Sequence, residues 1–285
     1  MTREIRTDTY LGTVVHIVAD RQNRPNLPVD GCPFCIGGLE APTEYDVKSF
    51  ANRWPALDLG YCEVVLYTPH HDANFGSLSD YEARAVIDLW AQRTAALQEM
   101  PKGEHVLVFE NRGAEVGATI SHPHGQIYAF DHVPARPAHM LAASWEPDTN
   151  LGERLILEQD NWRVYAEYAS VHPISIRIAP IHRISGLIEM NGVDRAFLAS
   201  ILVRVVAALD KMFETPLPYM MWLNQAPRTA SDWPDAWFNI EIVSPWRAAH
   251  VPRYIAAAEV ASGEYFNPVD PADVAISLRS LLACE

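Results

Sequence analysis

Phe109-Glu110-Asn111-Arg112-Gly113-Ala114-Glu115-Val116-Gly117-Ala118-Thr119-Ile120-Ser121-His122-Pro123-His124-Gly125-Gln126-Ile127 is the stretch from which the fold and chemistry of this chain unfold. It runs from a strand, through a glycine-bearing loop, into a second strand. In an extended chain successive side chains alternate, so His122, His124 and Gln126 project to the same side. One face then presents two imidazoles and a carboxamide, while Gly125 lets something approach the backbone. A neutral imidazole is a good nucleophile towards phosphorus and forms a covalent phosphoramidate. A neighbouring backbone carbonyl fixes its tautomer and leaves one ring nitrogen to attack. A carboxamide at Gln126 donates to a phosphoryl oxygen as negative charge develops there. It does not act as a general acid near neutral pH.

Around this stretch the hydrophobic pattern is mixed. A helix is expected over about Asp80 to Met100, where Ser79 and Glu82 have capping-box spacing and Val86, Leu89, Trp90 and Leu97 fall on one face. A second is expected over about Asp194 to Phe213, with Leu198, Ile201, Leu202, Val205, Leu209 and Met212 as its stripe. Strand-like runs are Glu63–Tyr67, His105–Glu110, Gln126–Phe130, Ser175–Ala179, Tyr219–Leu223 and Asn239–Val243. The order strand, loop, long helix, two strands occurs twice, and a Pro-(x)-His follows the first strand of each copy, at Pro69 and at Pro180. The fold class expected is α+β, two similar halves sharing a mainly antiparallel sheet with flanking helices.

The chain has 285 residues, 49% of them hydrophobic, and 22 Lys+Arg against 36 Asp+Glu. That balance belongs to a folded domain with a substantial core. Without clustered basic residues a nucleic-acid partner is not expected, although net charge does not describe a local pocket. No apolar run reaches the ~18 residues of a membrane span, and the N-terminus lacks the apolar core of a secretory signal. Four cysteines in a chain this long are no disulfide framework, which points to the cytoplasm. Two form Cys32-Pro33-Phe34-Cys35, bracketed by Gly31 and Gly37-Gly38, and thiolates at this spacing reach one metal ion. A redox pair is the rival reading, but it wants the motif at a helix start inside a βαβ unit. A tetrahedral zinc site would need histidines from elsewhere. Cys62 and Cys284 stand apart and read as packing residues.

The run from Phe109 to Tyr128, above all His122-Pro123-His124-Gly125-Gln126, resembles the signature of the galactose-1-phosphate uridylyltransferases, a branch of the histidine triad superfamily. In the hydrolase branch a third histidine stands at the position of Gln126. The resemblance extends to Arg21-Gln22-Asn23-Arg24-Pro25, Cys32 and Cys35, Phe50-Ala51-Asn52-Arg53, Thr68-Pro69-His70-His71, Pro218-Tyr219 and Ser262-Gly263-Glu264-Tyr265-Phe266-Asn267-Pro268. It implies two histidine-triad-like halves, 1–150 with the zinc site and catalytic motif and 151–285 completing the sugar-phosphate site. It implies that His124 attacks the α-phosphorus of a UDP-sugar and that Gln126 steadies the uridylyl intermediate until a sugar 1-phosphate collects it. It further implies one zinc ion on Cys32, Cys35, His71 and His122, with His70 the rival to His71. Arg21 and Arg24 match positions that approach the diphosphate, and guanidinium geometry suits phosphate oxygens. Asn52, Asn111, Gly117 and Thr119 match nucleotide-contacting positions, and Arg253 and Glu259 match a sugar-phosphate-binding stretch. A homodimer is implied as well.

Two departures stand out. Where the family usually carries a His-x-His-like pattern in the second half, this chain has Trp237-Phe238-Asn239, so a second metal site is not expected. Ala257 and Ala258 stand where glycine and an aromatic ring are common, which alters the expected sugar pocket. Two other readings follow: a related enzyme with another nucleotide or acceptor, such as an ADP-sugar phosphorylase, and a nucleotide-binding protein without catalysis. Retained His124 and Gln126 count against the second.

Overall fold

The computed structural model describes residues 3–19 and 31–283. Arg21, Arg24 and Cys284 lie outside the described residues. The strands, in chain order, are β1 (Arg3–Thr7), β2 (Val14–Val18), β3 (Lys48–Ala51), β4 (Cys62–Leu66), β5 (His105–Arg112), β6 (His124–Phe130), β7 (Leu155–Gln159), β8 (Trp162–Ala166), β9 (Ile174–Pro180), β10 (Tyr219–Asn224), β11 (Asn239–Ser244), β12 (Trp246–Ala248) and β13 (Val251–Pro252). The helices are α1 (Asp80–Gln98), α2 (Ala135–Ala142), α3 (Gly192–Lys211), α4 (Ala257–Ser262) and α5 (Pro271–Leu282).

A nine-stranded sheet in the order β3-β4-β6-β5-β10-β11-β9-β8-β7 organises the molecule, and its pairings are antiparallel. The order β3-β4-β6-β5 in the first half reappears, mirrored across the β5–β10 junction, as β10-β11-β9-β8. One helix follows the matching strand in each half, α1 after β4 and α3 after β9. Helix α1 starts as the spacing predicts, and α3 starts at Gly192, two residues before the expected Asp194, on an Asn191 cap that the sequence reading did not single out. Ser79 and Asn191 accept from the first-turn amides, while Glu82 and Asp194 reach back to the cap N–H. Their inner stripes, Val86, Trp90 and Leu97 on α1 and Leu198, Ile201, Leu202, Val205 and Leu209 on α3, are buried on the sheet face that also presents Val65, Val108, Ile127, Met221 and Ile240. Leu89 and Met212 pack at the edge of that core.

The Pro-(x)-His resemblance between the halves is not a structural equivalence: Pro180 is the last residue of β9, whereas Pro69 lies beyond the end of β4. The expected run starting at Gln126 begins two residues earlier, at His124, so His122 stands before the strand rather than within it. Helix α2 is short and has no buried residue, β7 is the edge strand of the sheet and β8 lies beside it. None of the three has a periodicity strong enough to read in advance. Cys62 is buried, as expected for a packing residue, and its Sγ accepts from the Leu57 N–H at 3.3 Å.

Candidate active site

On the face opposite α1 and α3 the strand registers align one row of residues across the sheet. Phe50 pairs with Val64, Val64 with Gln126, Gln126 with Phe109, Phe109 with Trp222, Trp222 with Glu241, Glu241 with Arg177 and Arg177 with Tyr165. His124, two residues from Gln126 on β6, shares this face by strand alternation. Both are half-buried while Gly125 and Ile127 are buried on the other face.

The nucleophile candidate has a defined tautomer. His124 Nδ1–H donates to its own neighbour's carbonyl, His122 O, at 2.7 Å, which puts the lone pair on Nε2. The Phe34 ring meets the His124 ring edge-to-face at 5.0 Å and thereby limits its rotation. Gln126 is oriented by Asn52, whose Nδ2–H donates to Gln126 Oε1 at 3.3 Å, while Asn52 Oδ1 accepts from the Trp54 N–H. With its oxygen so held, the carboxamide turns its NH2 group outward as a donor. Asn111 follows Phe109 by two on β5 and shares the same face. Gly117 adopts φ +88 at the end of a short 3-10 turn, a left-handed conformation that glycine takes without strain.

Cys32, Cys35, His71 and His122 converge from the N-terminal loop, the segment after β4 and the approach to β6. Their ligand atoms all lie within 4.8 Å of one another, a donor set that could hold a metal ion. Cys35 Sγ is 3.5 Å from His71 Nδ1 and 3.7 Å from His122 Nδ1. His71 is the histidine of the pair that joins this group, and His70 is exposed with its N–H on Thr68 Oγ1. Burial raises the Cys35 thiol and lowers the His122 imidazole, so both are neutral near pH 7, a state that a bound cation would reverse for the thiol.

Two contributors carried no sequence signal. His122 Nε2–H donates to Thr68 O at 2.8 Å and meets Tyr45 Oη at 3.0 Å, while the Tyr45 hydroxyl donates to Phe34 O at 2.7 Å. Tyr45 therefore ties the Cys32–Cys35 turn to His122, and its ionisation is pushed up to about 12, chiefly by burial. Phe34, inside the C-x-x-C, packs against both His122 and His124.

The remaining expected residues lie elsewhere. Arg253, just after β13, forms an ion pair with Glu259 of α4, and both side chains are only 7% exposed. Glu259 also accepts from the Ala256 and Phe266 N–H groups at 2.8 and 3.0 Å. These two residues thus form a C-terminal cluster, while Ala257 and Ala258 are exposed on α4. Thr119 is half-buried in the loop that leads to His122.

Comparison with known proteins bears on the family and the fold. The family model described as "Galactose-1-phosphate uridyl transferase, N-terminal domain" matches residues 44–134, and its C-terminal counterpart matches residues 120–256. A galactose-1-phosphate uridylyltransferase of Thermotoga maritima is 31% identical over 97% of this chain and 98% of its own. One from Streptomyces lividans is 36% identical over 79% of this chain and 71% of its own. Among solved structures, a uridylyltransferase superposes with a TM-score of 0.87 at 26% identity, covering 99% of both chains. An ADP-glucose phosphorylase from Arabidopsis thaliana shares the fold, with a TM-score of 0.76 at 23% identity over 99% or less of either chain, covering 98% of this one.

Proposed function

The chain belongs to the galactose-1-phosphate uridylyltransferase family, and from that premise we propose that it exchanges a uridylyl group between UDP-glucose and galactose 1-phosphate. The observation that carries the reading is the fixed tautomer of His124 beside an Asn52-oriented Gln126. His124 Nε2 attacks the α-phosphorus, a P–N bond forms, and the bridging P–O bond breaks to release glucose 1-phosphate. A phosphate oxygen of galactose 1-phosphate then attacks the same phosphorus, the P–N bond breaks, and UDP-galactose leaves. The Gln126 NH2 donates to a non-bridging oxygen in both steps. Because it has no acidic proton to exchange, it stabilises the intermediate without promoting attack by water. Asn52, Asn111, Gly117 and Thr119 serve as the nucleotide contacts, Arg21 and Arg24 act on the diphosphate, and Arg253 and Glu259 meet the sugar phosphate by giving up the ion pair they make with each other in the C-terminal cluster.

Cys32, Cys35, His71 and His122 would hold one zinc ion, whose four protein ligands make it a structural crosslink. The crosslink fastens the Cys32–Cys35 turn, and with it Phe34, against His124. The chain divides at about residue 150 into a half that carries this chemistry and a half that completes acceptor binding. The β1–β2 hairpin exposes Ile5 and Val14 on one face and Val15 and Ile17 on the other, apolar side chains suited to contact with a second copy in a homodimer. Among the described residues no helix is long and apolar enough to cross a membrane, and the reading places the enzyme in the cytoplasm.

The test is intact mass after incubation with UDP-glucose alone. A uridylyl adduct is expected on the wild type and absent from His124→Ala. No adduct with the wild type, or an adduct that survives in His124→Ala, overturns the reading. Offering the adduct galactose 1-phosphate, inorganic phosphate and pyrophosphate separately then identifies the acceptor. Turnover with inorganic phosphate alone would make the enzyme a phosphorylase instead.

A further inference from the structure

Gly125 separates the two residues of the proposed chemistry, and what occupies the space beside it is a tyrosine. A Cβ added to Gly125 would lie 2.2 Å from the Tyr67 hydroxyl, 3.1 Å from Tyr67 Cζ and 3.1 Å from Phe109 O. Tyr67 is fully buried, its ring set edge-on against Phe75 at 5.5 Å and Trp90 at 5.8 Å. Its backbone N–H donates to Pro123 O at 3.3 Å. The same residue therefore touches the positions immediately before and after His124.

Beneath it lies a buried acid that the proposed chemistry does not use. Glu110 is 4% exposed, on the helix-covered face of β5, and its Oε1 accepts from the Tyr219 hydroxyl at 2.8 Å. The Glu110 carboxyl is near enough to the Tyr67 hydroxyl to oppose its ionisation, after burial itself. The far end of the cluster is fixed by Arg112, which stacks over the Tyr219 ring at 5.6 Å and pairs with Asp210 of α3 at 2.7 Å. A polar file thus runs from α3 under the sheet junction to Gly125, inside an otherwise apolar core. Buried polar groups cost stability unless they are hydrogen-bonded, and here the Tyr67 hydroxyl and Glu110 Oε2 have no hydrogen-bond partner among the described residues.

We propose that Tyr67 is a positioning residue for the nucleophile: its N–H holds Pro123 and its hydroxyl, carried by a ring wedged between Phe75 and Trp90, props Gly125, so that one rigid side chain sets the height of His124 above the sheet. The proposal rests on the reading of His124 as the nucleophile.

The experiment compares wild type, Tyr67→Phe, Gly125→Ala and the double variant. Each is followed by single-turnover adduct formation from UDP-glucose and by ¹⁵N NMR of the His124 ring. Gly125→Ala is expected to slow adduct formation about 10²-fold, as misplacement of a reacting group does. Adding Tyr67→Phe removes the atom at 2.2 Å and leaves contacts at 3.1 Å, so the double variant should regain about tenfold. Tyr67→Phe alone should slow the step severalfold at unchanged KM and mix the His124 tautomers. A double variant no faster than Gly125→Ala overturns the proposal. So does Tyr67→Phe with wild-type rate and ring signals, and that conservative variant covers the case in which Gly125→Ala does not fold. If the wild type forms no adduct, the proposed function fails, and the ring signals of Tyr67→Phe still decide the positioning role.

Discussion

Gln126 and Glu241 occupy matching places on either side of the Phe109–Trp222 pair at the sheet centre, yet their surroundings are opposite. Beside Gln126 the neighbouring strand presents Val64; beside Glu241 it presents Arg177. Arg177 is nearly buried, ion-paired to Glu167 and Glu241, hydrogen-bonded to Asn239 Oδ1 at 2.5 Å and stacked on Trp145 at 4.7 Å. Arg136 adds a second guanidinium on Glu241 at 2.8 Å, and Asn224 donates to both Asn239 and Glu241. Burial raises the Glu241 carboxyl, but Arg177 and Arg136 outweigh it and hold the group below its ordinary range. The second half has thus closed its polar groups on one another. The first keeps the Asn52-held carboxamide of Gln126 and the oriented imidazole of His124 turned outward. Outward hydrogen-bonding capacity, more than residue polarity, separates a reactive face from a structural one.

The strongest way to break this comparison is to move the nucleophile. His124→Asn should lower adduct formation by about 10⁴-fold or more, as loss of a covalent nucleophile does. The reciprocal Asn239→His, placed at the matching position, should gain no uridylyl label by peptide mass mapping. There Trp237 O, which accepts from Asn239 Nδ2 at 3.2 Å, could set the tautomer as His122 O does for His124, but Arg177 and Asn224 crowd the ring. A label at position 239 would mean that residue type alone makes the site.

Next in size is Arg177→Met. It leaves Glu167 and Glu241 without their shared partner in a nearly dry environment, and should cost about 3–5 kcal/mol in urea unfolding. Adduct formation per folded molecule should stay near wild type. Loss of chemistry on that scale instead would show that the two halves of the face act as one unit.

How much of this contrast was readable beforehand differs by residue. The strand-loop-strand around His124, the α1 cap and the Cys32–Cys35 pair each rest on local spacing, and local spacing is what a sequence records. His122 as a pre-strand residue, Tyr45 above it and Tyr67 under Gly125 depend on contacts 54, 77 and 58 or so positions apart, which no periodicity encodes. Trp237 and Asn239 were legible as departures from a pattern. That Arg177 would fill the space beside them was not, because Arg177 sits in a run of apolar residues and reads as a strand's exposed position.

Glu110 gives a smaller, pH-dependent effect. Burial pushes its carboxyl up to about 7 from an ordinary 4.5, despite the Tyr219 hydroxyl and Arg112. The folded state therefore binds the proton more tightly than the unfolded chain. Its contribution to stability is full below about pH 4.5, declines as pH rises through 7, and is then constant at a loss of about 3 kcal/mol. Glu110→Gln should flatten that part of the Tm-versus-pH curve. No counterpart is expected from Glu241→Gln, whose carboxyl moves the other way and whose contribution is lost as pH falls. Parallel curves for wild type and Glu110→Gln would show the carboxyl to be unperturbed.

The smallest effect sharpens the comparison at the two rings that precede these strands. Trp237 stands four residues before Glu241, as His122 stands before Gln126. Each ring N–H donates to a carbonyl near the end of the adjacent strand, Trp237 Nε1 to Pro180 O at 3.0 Å and His122 Nε2 to Thr68 O at 2.8 Å. The indole has no further nitrogen, so its role ends with that bond. His122 has Nδ1 on its other side, directed at Cys35, and the Thr68 and Tyr45 contacts fix which nitrogen keeps the lone pair. A ligand's outer hydrogen bond is worth about tenfold or more in metal affinity, and the Tyr45 bond to Phe34 O about 1 kcal/mol in stability. At the zinc site proposed above, Tyr45→Phe should therefore release the ion to a competing chelator about tenfold more readily while unfolding only slightly earlier in urea. Equal zinc retention would place the whole burden of orienting His122 on the Thr68 carbonyl, and the two halves would then hold their rings in the same way.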